Sequence, residues 1–312
     1  MASNTLKLIF SAFFFLELLN PSTVFGAACC GARATLPNLI VGDYRTQWNI
    51  SWANAAITHQ ASSAGQVSKR QGNNQEVQET ISLSGAYLIS DLWQIQSQIP
   101  IRKNSRRTLN EEEQHTALGD ISIGVAYEFL PETFYSAWKP RGFVFAFQNF
   151  PTGKSTYESD TKLGTDATGK GYGSTGLGLA LIKNWGHYDG IFSSEYHRGW
   201  KERFQANQNT FALNPRYGFS SLLGAGVSPY QGNFRIGGTL GYSFEAGALV
   251  NQGRAEEKTS PKYLWDVGLN LSYLYGNSSL LFGYNDQTVI GKANNANLAR
   301  SLLFSWQYFF ER

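Results

Sequence analysis

The sequence predicts an all-β protein, a transmembrane antiparallel up-and-down β-barrel of about 12 strands, and three observations lead there. Apolar residues alternate with small or polar ones in run after run, and the connections between runs are alternately short and long. After the N-terminal leader no stretch of about 18 apolar residues occurs, so membrane-spanning helices are excluded. Composition agrees. Of 312 residues 42% are hydrophobic but only 16% charged, well below the roughly 25% of soluble domains. Glycine, at 32 residues, exceeds its usual share of about 7%, and no Pro-rich or Ser-rich linker separates two cores.

At the N-terminus Lys7 precedes an apolar run from Leu8 to Leu19, which Asn20 and Pro21 break before small residues. This is the pattern of a signal peptide over residues 1–26, with cleavage after Gly26 or Ala28, leaving 27–312 as the barrel. An uncleaved anchor would need a longer run, and a lipid anchor at Cys29 would want a bulky aliphatic residue where Gly26 stands. Cys29 and Cys30 are adjacent, so they can neither form a Cys-rich zinc site nor staple distant segments.

Strands are predicted near residues 46–57, 77–89, 92–101, 119–130, 141–150, 174–183, 188–197, 216–228, 233–245, 262–275, 278–286 and 300–310. Ile121, Ile123, Val125, Tyr127 and Phe129 against Ser122, Gly124, Ala126 and Glu128 is a clear example. Most of these runs bracket the ~9–11 residues that a tilted strand needs to cross a bilayer. Links such as Ser90-Asp91 and Gly276-Asn277 are tight, with 131–140 the longest on that rim. The other rim carries long polar loops at 58–76, 102–118, 151–173, 198–215, 246–261 and 287–299. An even strand count then puts both termini on the periplasmic side.

A secreted soluble β-sandwich is the competing architecture, and its polar face would be rich in Lys, Glu and Thr. Here that face carries mostly Gly, Ser, Ala, Asn and Gln, which suits a crowded inner wall. The apolar face ends in aromatic pairs, Tyr127 with Phe129 and Tyr273 with Tyr275 on the short-turn side, Tyr242 with Phe244 and Tyr284 on the other, as in interfacial girdles. Leu302, Phe304, Trp306, Tyr308 and Phe310 resemble the terminal strand by which barrel-insertion machinery recognises its clients.

Catalytic motifs are thin. Gly153-Lys154-Ser155 lacks the earlier glycine of a phosphate loop, and Gly171, Gly173 and Gly176 run into a strand instead of opening a helix. His59, His115, His187 and His197 show no metal-ligand spacing. Ser193 and His197 lie about 13 Å apart at ~3.3 Å per residue of extended chain, too far to act as nucleophile and base. Net charge is only +3 with scattered basic residues, which sets nucleic acid aside. The inward phase instead holds Gln94, Gln96, Gln98, Asp120, Glu128, Asp189, Glu195, Arg235, Glu245, Asp266 and Asn270. Acids outnumber bases there, so the predicted lumen lining favours cations or neutral polar solutes, unless internal pairing plugs the bore.

The runs Leu118 to Tyr127, Pro151-Thr152-Gly153 and Gly173-Ser174-Thr175-Gly176-Leu177 resemble the phenol meta-pathway-type outer-membrane transporters, a family similar to the long-chain fatty-acid transporters. The likeness covers residues 118–310 in layout and implies uptake of aromatic or other hydrophobic compounds. In two respects the chain departs from it: no separable N-terminal plug is evident, and the Gln-lined third strand offers no apolar pocket. Ala28-Cys29-Cys30-Gly31 with Ile40-Val41-Gly42-Asp43 also resembles outer-membrane proteins of predatory Gram-negative bacteria. The expectation is a monomeric, non-enzymatic outer-membrane channel or transporter for small solutes, without cofactor or metal, whose partners are outer-membrane lipid, the insertion machinery and the solute. The alternatives are a barrel hydrolase or protease, and a structural or adhesive surface barrel.

Overall fold

The computed structural model describes residues 38–132, 134–206, 209–229, 233–252 and 255–311. The signal peptide and the Cys29-Cys30 pair lie outside the described residues. Twelve strands form the barrel: β1 (Tyr44–Ala61), β2 (Gln75–Leu88), β3 (Trp93–Arg107), β4 (Ile121–Leu130), β5 (Arg141–Phe150) and β6 (Ser174–Trp185). They continue as β7 (Tyr188–Gly199), β8 (Tyr217–Val227), β9 (Phe234–Glu245), β10 (Lys262–Tyr275), β11 (Ser278–Asp286) and β12 (Ala296–Glu311). Each pairs antiparallel with its neighbours in chain order, and β12 pairs back with β1 from Tyr44↔Glu311 to Ala61↔Ala296. Closure leaves no free edge strand in the ring.

Alternation sorts the side chains as their chemistry demands. Leu177, Leu223 and Leu269 are 65%, 57% and 64% exposed, and Trp306 and Phe304 stand beside them on the same outer surface. Over a closed barrel this apolar belt is far larger than a soluble protein exposes, and it is the surface a bilayer covers. The opposite phase is buried and small or polar, and one reason is space. Gly176 and Gly178 on β6 face the rings of Phe147 and Phe145 on β5, and a Cβ at either glycine would collide with them. Small residues on one strand make room for lumen aromatics on the next.

The connections on one rim are richer in structure than their polar sequence suggests. β1, β3 and β12 run to 18, 15 and 16 residues and project beyond the belt. Val67–Lys69 and Glu112–Leu118 pair onto β1 and β3. Two segments expected as loops instead join in a separate four-stranded sheet, Glu202–Ala206, Asn209–Asn214, Leu249–Gln252 and Ala255–Lys258. They were hidden because each is only four to six residues long, too short for alternation to register.

Candidate functional site

All eleven residues singled out from the sequence share the phase opposite to the exposed belt, but the structure pairs many of them off. Arg235 on β9 donates from Nε and Nη2 to both carboxylate oxygens of Asp189 on β7, each at 2.6 Å, and from Nη1 to Asn270 on β10 at 2.6 Å. Glu128 receives Arg141 in the same bidentate way, at 2.7 and 2.8 Å. Glu245 accepts from Lys170 at 3.0 Å and lies 3.1 Å from His197 Nε2. Glu195 accepts from the Ser220 hydroxyl at 2.7 Å, and Asp266 is buried on β10. Three of the six acids are therefore ion-paired, two of them with bases, Arg141 and Lys170, that the sequence reading did not place inside. Counting these two bases lowers the expected acid excess from five to three. Gln94 is fully buried, Gln98 half-buried, and Gln96 holds a buried Oε1 without a partner.

At the short-turn end the chain before β1 turns into the barrel. The Ile40 amide donates to Gln94 Oε1 at 2.7 Å, and Gln47 donates to Asn38 at 2.6 Å. Leu39, 2% exposed, packs on inward-facing Ala126, Phe143, Phe145, Ala180, Ile182 and Ile191, while Ile40 sits on Ala86 and Leu88 across the bore. The expectation that no N-terminal segment enters the barrel is thus corrected, and the apolar lining that the third strand lacks is found on β4 to β7. This apolar cluster adjoins the glutamine row, where Ala126 pairs with Gln94, and the Arg141 guanidinium lies 5.7 Å from the Phe143 ring.

At the long-loop end the segment 151–173 folds inward. Arg102, Asn104 and Arg106 continue the inward phase of Gln94 to Gln98 up β3, and they donate to the carbonyls of Thr168, Thr165 and Leu163. Asp120 at the start of β4 accepts from the amides of Gly153 at 3.1 Å and Lys170 at 2.8 Å. Lys170 then reaches Glu245 on β9, five strands along a ring of twelve and so almost opposite. Within the loop Ser155 caps a short 3-10 turn at Thr156–Glu158, which gives Gly153-Lys154-Ser155 a local structural role. Asp166 accepts from the Ser159 and Thr161 hydroxyls and the Asp160 amide, and pairs with Lys154 at 2.7 Å. Burial alone would raise the Asp166 carboxyl, but Lys154 and these donors hold it well below the usual carboxylate range.

A nucleophile and base are not brought together at the one place the sequence suggested. His197 Nε2 is spent on Glu245, while the Ser193 hydroxyl has no hydrogen-bond partner. Among the described residues there is no group of three metal-ligating side chains.

No family model matches the chain, and no curated protein matches it in sequence. Among solved structures it is similar to an outer-membrane channel from Pseudomonas putida F1, with a TM-score of 0.68 at 9% identity over 90% of this chain and 100% of that one. Weaker similarities are to the β domain of the Bordetella autotransporter BrkA, with a TM-score of 0.45, 13% identity and 86% and 100% coverage. The Pseudomonas putida toluene transporter TodX gives 0.42, 8% identity and 85% and 89% coverage. At these identities the first likeness is one of fold, an outer-membrane barrel, and the other two carry nothing further.

Proposed function

We propose that the chain is an outer-membrane channel passing small apolar or aromatic solutes passively, its lumen closed at rest by segment 38–41 toward the periplasm and loop 151–173 toward the outside. The observation that carries this reading is the apolar cluster of Phe143, Phe145, Ile182 and Ile191 on the inner wall, covered by Leu39 from the segment that precedes β1. A structural barrel would gain only stability from burying Leu39 there; a channel gains in addition a site whose lid is chemically equivalent to its solute. The fold shared with the Pseudomonas putida F1 channel supports passage over catalysis. The eleven inward residues would then line the path as a polar wall on which at least three of the six acids are ion-paired, with Arg235 and Asp189 fixing its shape.

The test uses Gram-negative cells, whose lipopolysaccharide slows hydrophobic dyes. Expression of the protein should speed the fluorescence rise of N-phenylnaphthylamine, and Phe145→Asp at equal membrane abundance should abolish the gain. Equal rates with and without the protein would refute the proposal.

A further inference from the structure

The connection between β4 and β5, the longest on its rim, is folded back on the outside of the barrel. Lys183 on β6 shows this. It pairs with Gly190 of β7, in phase with lipid-facing Leu181 and Leu179, yet its side chain is only 5% exposed. Glu132 of the connection covers it with an ion pair of 2.5 Å, and the Tyr135 ring lies 4.9 Å from its ammonium. Beside it the indole of Trp185, also on the outer face, donates to the Ala137 carbonyl at 2.7 Å. The connection therefore lies against the outer wall at the belt's lower border. A lysine on the lipid face is tolerated because a carboxylate and a ring enclose it.

What the connection presents outward is aromatic. Phe134, Tyr135 and Trp138 are 86%, 72% and 91% exposed, and they continue the girdle of Phe129, Trp185 and Tyr188 on the flanking strands. The nearby charge left unpaired by Glu132 and Glu128 is the exposed Lys139. Aromatic rings with a flanking cation suit the boundary of phospholipid headgroups and acyl chains.

We infer that residues 131–140 form a membrane anchor in which Phe134, Tyr135 and Trp138 enter the periplasmic leaflet of phospholipid, held in place by Lys183 and Trp185. This rests on the reading of the chain as a membrane-embedded barrel. Lipid contact at this turn would fix the barrel's depth and tilt on the side where Leu39 meets the wall formed by β4 to β7.

The experiment places an environment-sensitive fluorophore on single cysteines, with Cys29 and Cys30 replaced by serine. Phe134→Cys and Trp138→Cys report on the anchor, Leu269→Cys on the belt, and Leu109→Cys, 78% exposed beyond the opposite rim, on water. Each protein is refolded into vesicles of phosphatidylcholine and phosphatidylglycerol, and folding is checked by heat-modifiable migration. Doxyl-labelled lipid is expected to quench positions 134, 138 and 269 at least about twofold more than 109, with iodide giving the reverse order. If 269 is quenched by lipid but 134 and 138 respond only to iodide, the turn stands in water and the inference is overturned. If 269 itself responds only to iodide, the membrane-barrel reading fails first.

Discussion

Truncating Leu39 to alanine probes the inner lid where the geometry makes the effect calculable. The side chain is 2% exposed and meets six buried apolar residues, and comparable Leu→Ala changes in protein cores cost about 2–5 kcal/mol. A channel interior refills with water more readily than a dry core, so the low end, about 2 kcal/mol, applies. With a factor of ten per ~1.4 kcal/mol, the ratio of released to docked segment should rise about 30-fold. In planar-bilayer recordings this reads as a corresponding rise in the ratio of open to closed time. Val41→Ala should do much less, because Val41 is only partly buried against the same cluster. Unchanged gating in Leu39→Ala, in a protein that folds and inserts normally, would refute the idea that this contact holds the lumen closed.

Three further outcomes follow from the interior. Asp189→Ala removes the bidentate carboxylate from the buried Arg235 guanidinium and should cost about 3 kcal/mol in urea-induced unfolding from vesicles, whereas the Asp189→Leu, Arg235→Met double substitution should cost less than the single one. Gly178→Val forces the Phe145 ring off its place and should destabilise by about 1–3 kcal/mol while altering dye influx; wild-type influx would show that the ring does not border the path. The Asp166 carboxyl has its pKa held below the unfolded value of ~3.9, so its contribution is complete above that pH and disappears as pH falls through the lower folded value. Hydrogen exchange of loop 151–173 should therefore stay slow at pH ~4 in the wild-type protein, and Asp166→Asn should make it fast at neutral pH.

The strands were legible because a closed barrel in lipid leaves the two faces no compromise. Ile121 to Phe129 or Tyr263 to Tyr275 must alternate, and they do so in the sequence and in the structure alike. The two inward-folded segments were not legible, because neither depends on periodicity. Leu39, Ile40 and Val41 are three apolar residues in a row that belong to no strand, and that homelessness is the signal that could have found them. Loop 151–173 is held by its backbone carbonyls and amides, which every residue has, so only Arg102, Asn104 and Arg106 continuing an inward phase beyond the belt hinted at a partner. Lys183 breaks the outward apolar phase of β6, a signal passed over in the sequence that the structure explains by its ion pair with Glu132. The pairing of Asp120 with two loop amides could be seen only once the loop had a position.

The most direct measurement is a crystal of the protein soaked in bromobenzene and read by anomalous scattering from bromine. A peak is expected inside the barrel between Phe143, Phe145 and Ile191, with Leu39 moved off the wall. Bromine found solely on the outer belt, with Leu39 still seated, would contradict it.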